Sequence, residues 1–129
     1  MLESRKIEKW NLQFKEAALK HGGVCVGLAI GIRAVDIIQR EFDVSSDTKS
    51  LRIRVGTKEC LADAFKILLR VENQQLEYVN PRDNVISVRN GTNAIELHLT
   101  SNKITDVSHV FQQPEDALFP IVRKLRINS

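Results

Sequence analysis

The chain has 129 residues, a net charge of +3 and 43% apolar residues, the size of one ordinary domain with apolar material for one core. Its longest apolar run, Val24 to Ile32, stops at Arg33, far short of the about 20 residues that span a bilayer, so no membrane partner is expected. The charged opening MLESRKIEKW lacks the apolar core of a signal peptide, and two cysteines make no disulfide framework, which together point to a reducing cytoplasm.

The first element is an amphipathic helix over 5–20, because Ile7, Trp10, Phe14, Ala17 and Ala18 recur at helical spacing, and Gly22 and Gly23 end it. A second helix is expected over about 27–41. Its first half is apolar nearly all round, which predicts burial. Gly27, Gly31 and Ala34 share one face of it, where small residues admit another backbone; a second copy of the chain is the expected neighbour. The segment DVSSDTKS, 43–50, reads as a loop. LRIRV, 51–55, alternates as a strand with Leu51, Ile53 and Val55 inward.

Thr57 is a candidate N-cap for a third helix over about 58–70, with Leu61, Ala64, Phe65 and Leu68 on its buried face. Three strand-like runs follow: QLEYV, VISVR and AIELHL. Asn90-Gly91 is the expected turn between the last two, with Ile95, Leu97 and Leu99 on one face and Glu96 and His98 on the other. KITDVSHV, 103–110, reads as a further strand, and the tail from Glu115 to Arg126 as helix, broken so that Pro120 opens its final segment. RKLR, 123–126, then becomes a solvated helix face, and the remaining basic residues are dispersed among 16 acids, which disfavours a nucleic-acid partner. The fold class is α+β, three or more helices packed on a largely antiparallel sheet, with residues 1–129 as a single domain.

Two cysteines stand at expected helix starts. Cys25 lies at or just before the first turn of helix two, and Cys60 in the first turn of helix three. Partial positive charge at a helix N-terminus lowers a thiol's pKa and favours the thiolate, the form that attacks or binds metal. The alternative is two small buried hydrophobes. His21, four residues before Cys25, is either a third metal ligand or a cap on the C-terminal dipole of helix one. Asp63, one helical turn after Cys60, faces solvent, caps locally or approaches the site. His98 and His109 read as surface residues. The sequence holds no phosphate-binding loop, dinucleotide fingerprint, nucleophile elbow or CxxC pair.

The stretch HGGVCVGLAIGIRA, 21–34, resembles the FmdE-like proteins, a family named for a component of formylmethanofuran dehydrogenase. The family's hallmark is a His-Gly-His-x-Cys-Pro-Gly turn before a small apolar helix with a Gly-x-Arg step; His21, Gly22, Cys25, Gly27, Gly31 and Arg33 match it. Its second motif, Thr-Asp-x-Cys leading into Asp-Ala, reads TKECLADA here, with Thr57, Cys60, Asp63 and Ala64 matching. The resemblance covers about residues 5–125. The chain departs from the pattern where Gly23 replaces the second histidine, Val26 the proline, Lys58 the acid before the second cysteine, and Val71 a third cysteine. A later Gly-Lys step falls near Asp83-Asn84 and is absent, as is the C-terminal zinc finger of some members.

The resemblance implies an α+β core, a homodimer, and a cysteine-containing cleft that takes a metal or a small-molecule ligand. Cys25 and Cys60 become its catalytic or ligating thiols, His21 a third metal ligand, and Asp63 a cofactor-side support. The cofactor is zinc or none. The function is then that of an FmdE-like accessory protein or enzyme, or alternatively of a degenerate member that binds a small molecule or protein without catalysis.

Overall fold

Trp10 and Ala17, with Ile7 and Phe14 beside them, form the inward stripe of the first helix, α1 (Ser4–His21). It stops because Gly22 takes φ +94° and both Gly22 N–H and Gly23 N–H donate to the Ala18 carbonyl, at 2.9 and 3.1 Å. This is the left-handed closure that glycine makes without a Cβ penalty. The computed structural model describes residues 4–23, 25–42, 48–56, 59–79, 84–100 and 104–126. The proposed cap Thr57, Lys58, Asp83, Lys103 and 43–47 of the expected loop lie outside them.

Helix α2 (Val26–Phe42) is the central helix, with Leu28, Ala29, Ile32, Ala34, Val35, Ile37 and Ile38 buried. Strand β1 (Leu51–Val55) buries Leu51, Ile53 and Val55 and exposes Arg52 and Arg54, as its alternation requires. Helix α3 (Glu59–Leu68) crosses over to β2 (Leu76–Tyr78), which runs parallel to β1. The link before β2 is pinned by buried Gln75, whose Nε2 donates to the carbonyls of Thr48 at 2.7 Å and Leu51 at 3.0 Å. Strands β3 (Val85–Asn90) and β4 (Asn93–His98) then add antiparallel, and β5 (Ile121–Arg126) closes the order β2-β1-β3-β4-β5. The fold is α+β, and among the described residues β2 is the one parallel neighbour in the sheet.

The helices pack on one face of the sheet, where Ile53, Ile86, Val88, Ile95 and Leu97 join α2 and α3 in one core cluster. The other face carries Arg52, Arg54, Ser87, Arg89, Glu96 and Arg123 in register.

The structure differs from the sequence reading at four places. Residues 104–110, expected in a further strand, do not form one. Val107, Val110 and Phe111 fall at helical spacing in α4 (Val107–Gln112), and Asp106 starts that helix by accepting from Ser108 N–H at 3.0 Å. The tail is helical only in α5 (Glu115–Leu118). Pro120 precedes the strand β5 rather than opening a helical segment, and RKLR lies on that edge strand. The edge of β4 supplies the partner that local propensity could not show. In the hairpin, Asn90 pairs with Asn93, so the two-residue loop is Gly91-Thr92, with Gly91 at φ +64°. That placement of glycine at the first loop position is the type II′ pattern. Finally, the small-residue face of α2 meets α3 of the same chain, not a second copy. A Cβ on Gly31 would stand 2.5 Å from Ala64 Cβ and 3.0 Å from the Leu61 carbonyl oxygen.

Arg33 is the buried charge of the core, 4% exposed. Its Nη1 donates to the carbonyls of Val110 at 2.7 Å and Gln113 at 2.8 Å, closing the C-terminal end of α4 as a cation at a negative dipole end. Its guanidinium lies 4.1 Å from the Trp10 ring centroid. Burial lowers its pKa, against the raising influence of Glu115 and Asp36.

Candidate metal centre

Three helix ends meet at one place. His21 is the last residue of α1. Cys25 immediately precedes α2, and its carbonyl accepts from Leu28 N–H at 3.1 Å, the position of an N-cap. Cys60 sits in the first turn of α3. The donor atoms of His21, Cys25 and Cys60 all lie within 4.8 Å of one another, and all three residues are half-buried.

The glycines of α2 make this convergence possible. A Cβ on Gly27 would sit 3.1 Å from Cys60 Cβ and 3.6 Å from Cys25 Sγ. Together with Gly31, it lets the α3 backbone approach until the two cysteines share one pocket. Gly22 is required by its positive φ, and Gly23 by neither φ nor space, since nothing lies within 4 Å of a Cβ built there. The open volume at Gly23 is where the family pattern carries its second histidine.

Asp63 reaches the site. His21 Nδ1 donates to Asp63 Oδ2 at 2.5 Å, with the side chains 18% and 30% exposed. The contact decides among the three roles the sequence left open for Asp63. It also gives His21 a carboxylate partner, and leaves Nε2 as the ring nitrogen without a protein partner among the described residues. Such an arrangement fixes tautomer and ring orientation in histidines that ligate metals.

The expected lowering of the thiol pKa fails at Cys60. Burial pushes its thiol up to about 11, aided by the hydrogen bond with Cys25, the charge of Cys25 and the charge of Asp63. The helix start does not outweigh a half-buried site that already holds acidic neighbours. Val71, at the position of the family's third cysteine, is buried in the main core and away from this pocket. His98 lies on the open sheet face with Nε2 3.5 Å from Glu96, and His109 is exposed on α4, so neither joins the group. Sequence reasoning missed the role of Arg33, whose only signal was its place in the Gly-x-Arg step.

An open apolar hollow of about 610 Å³ borders the end of α1, lined by Phe14, Lys15, Ala18, Leu19, Gly22 and Gly23. No helix among the described residues is long and apolar enough to cross a membrane.

No curated protein matches the chain at a significant level. The family model described as "FmdE, Molybdenum formylmethanofuran dehydrogenase operon" matches residues 20–119, a span that contains both cysteines, His21, Asp63 and the whole of the helix-end pocket, and the chain therefore belongs to the FmdE family.

Proposed function

We propose that the protein is a metal-binding member of the FmdE family, in which His21, Cys25 and Cys60 hold one zinc ion. The observation that carries this reading is the convergence of one nitrogen and two sulfur donors within 4.8 Å, a donor set that suits zinc. Zinc bonds of about 2.0–2.3 Å would put those atoms about 3.5–3.8 Å apart, a contraction of at most about 1.3 Å. Asp63 would orient His21 through Nδ1, which leaves Nε2 free to serve as the ligand nitrogen. With Gly23 in place of a second histidine, His21, Cys25 and Cys60 would hold the ion and leave room on it for water or a ligand, as in catalytic rather than structural sites.

A metal so bound supplies a Lewis acid that polarises a ligand oxygen or lowers the pKa of a bound water. The chain's own part is to hold it. The N-terminal ends of α2 and α3 place partial positive charge beside anionic sulfurs, and the apolar hollow beside Gly22 and Gly23 receives the body of a small-molecule ligand. Cys25 and Cys60 enter as ligands. Two free thiols fit a reducing cytoplasm. The homodimer rests on the family resemblance, and sedimentation at micromolar concentration should give a mass of two chains.

The experiment that tests the site is substitution with cobalt(II). Thiolate-to-cobalt absorption is expected in the wild type and should disappear in Cys25→Ser/Cys60→Ser. A second reading, a family member that keeps the pocket but binds a small molecule or protein without metal, is favoured by Gly23, which carries no donor where the family pattern has its second histidine. Wild-type protein without cobalt absorption would support it.

A further inference from the structure

The open face of the sheet holds a feature that the helix-end pocket does not use. Arg52 on β1 and Arg89 on β3 are direct cross-strand partners, so their Cα atoms stand about 4.5–5.5 Å apart. Like charges directly opposite each other destabilise a sheet. Elsewhere on this face arginines are neutralised: Arg54 Nε bonds Glu77 Oε2 at 2.9 Å, and Arg123 Nη1 lies 3.7 Å from Glu96 Oε1. Arg52 and Arg89 have no carboxylate within ion-pair distance among the described residues.

Their contacts are to backbone. Arg52 Nη1 donates to the carbonyls of Lys49 and Leu51, both at 2.9 Å, and Arg89 Nε donates to the Gly91 carbonyl at 3.0 Å. These bonds hold both guanidiniums at the hairpin end of the sheet and leave Nη2 of each without an acceptor among the described residues. The Ser87 hydroxyl, two residues along β3 on the same face, also lacks a partner there. All three residues line one hollow of about 520 Å³, together with Arg54 and the ion-paired carboxylates Glu77 and Glu96, and its apolar floor includes Ala94 and Leu125. That volume is within the range of small-molecule pockets.

We propose that this hollow is a binding site for a phosphorylated small molecule, with the phosphate between Arg52 and Arg89 and the body over Ala94 and Leu125. Two facing guanidiniums and a hydroxyl match the nearly two charges and three free oxygens of a phosphate monoester near neutral pH. A carboxylate offers one charge and two oxygens. Binding would remove the like-charge repulsion that the unliganded sheet carries. The site lies on the layer opposite the cysteines, and does not rest on the metal reading.

The test is titration with inorganic phosphate, followed by amide shifts in the NMR spectrum, against acetate at matched ionic strength. Saturable shifts at 50–54 and 87–92 are expected for phosphate and weaker ones for acetate. Arg89→Met should weaken phosphate at least about tenfold, while Arg126→Met, outside the hollow, should leave it unchanged. Arg89→Met is expected to melt no lower than wild type, because it relieves repulsion, so lost binding is not lost folding. Equal shifts for phosphate and acetate, or equal affinity in wild type and Arg89→Met, would overturn the proposal. So would an oligonucleotide whose tight, salt-dependent binding is weakened by Arg126→Met as much as by Arg89→Met.

Discussion

Gly31 shows how much one missing atom group decides. A Cβ there would stand 2.5 Å from Ala64 Cβ, closer than packed atoms allow, so α3 would have to move away from α2. Gly31→Leu should therefore cost roughly 1–3 kcal/mol in denaturant unfolding; unchanged stability would contradict the close-approach account. Asp63 acts differently, through orientation rather than space. Asp63→Asn keeps the size of the side chain and weakens its hold on His21 Nδ1. Metal affinity is expected to fall about 10–100-fold, measured by competition with a chromophoric chelator, with little change in melting of the metal-free protein. The residue types at the site were legible, since cysteines beside glycine turns and helix starts carry a chemical meaning. The partners were not. Nothing in local sequence couples His21 to Asp63, 42 positions away, and the balance that raises the Cys60 thiol depends on burial that only the packed fold sets.

At the scale of elements, periodicity was a good guide where a segment buries one clean face. The α1 stripe and the β1 alternation are of this kind. It misled where a short run is β-rich yet capped, as in α4, or where a distant strand recruits it, as β5 is recruited by β4. Two predictions belong here. Arg33 ties α2 to the end of α4 through two backbone carbonyls. Arg33→Met should cost about 2–4 kcal/mol, because two charge-assisted hydrogen bonds are lost and the Val110 carbonyl is left buried without its partner. Thermal unfolding measures it, and a change below 1 kcal/mol, taken as about the size of one ordinary neutral hydrogen bond, would remove Arg33 from its structural role. In the hairpin, Gly91 sits at φ +64° with nothing within 4 Å of a built Cβ. Gly91→Val then tests mainly the backbone conformation, and should cost about 1–2 kcal/mol; a neutral result would speak against the positive φ.

For the whole molecule, the layering explains why the two candidate sites are separate. Helices cover one sheet face and bring their ends together around His21, Cys25 and Cys60, while the other face presents its arginines to solvent. Both cysteines belong to the helical layer, which on the reading proposed above is built to hold a metal. Metal analysis of wild type and Cys60→Ser, purified without chelator and assayed for zinc, iron and molybdenum, tests it most directly. One equivalent of zinc per chain is expected in wild type, with loss of that zinc in Cys60→Ser and the fold retained. Wild-type protein free of metal, or a Cys60→Ser variant that keeps its full equivalent, would contradict it.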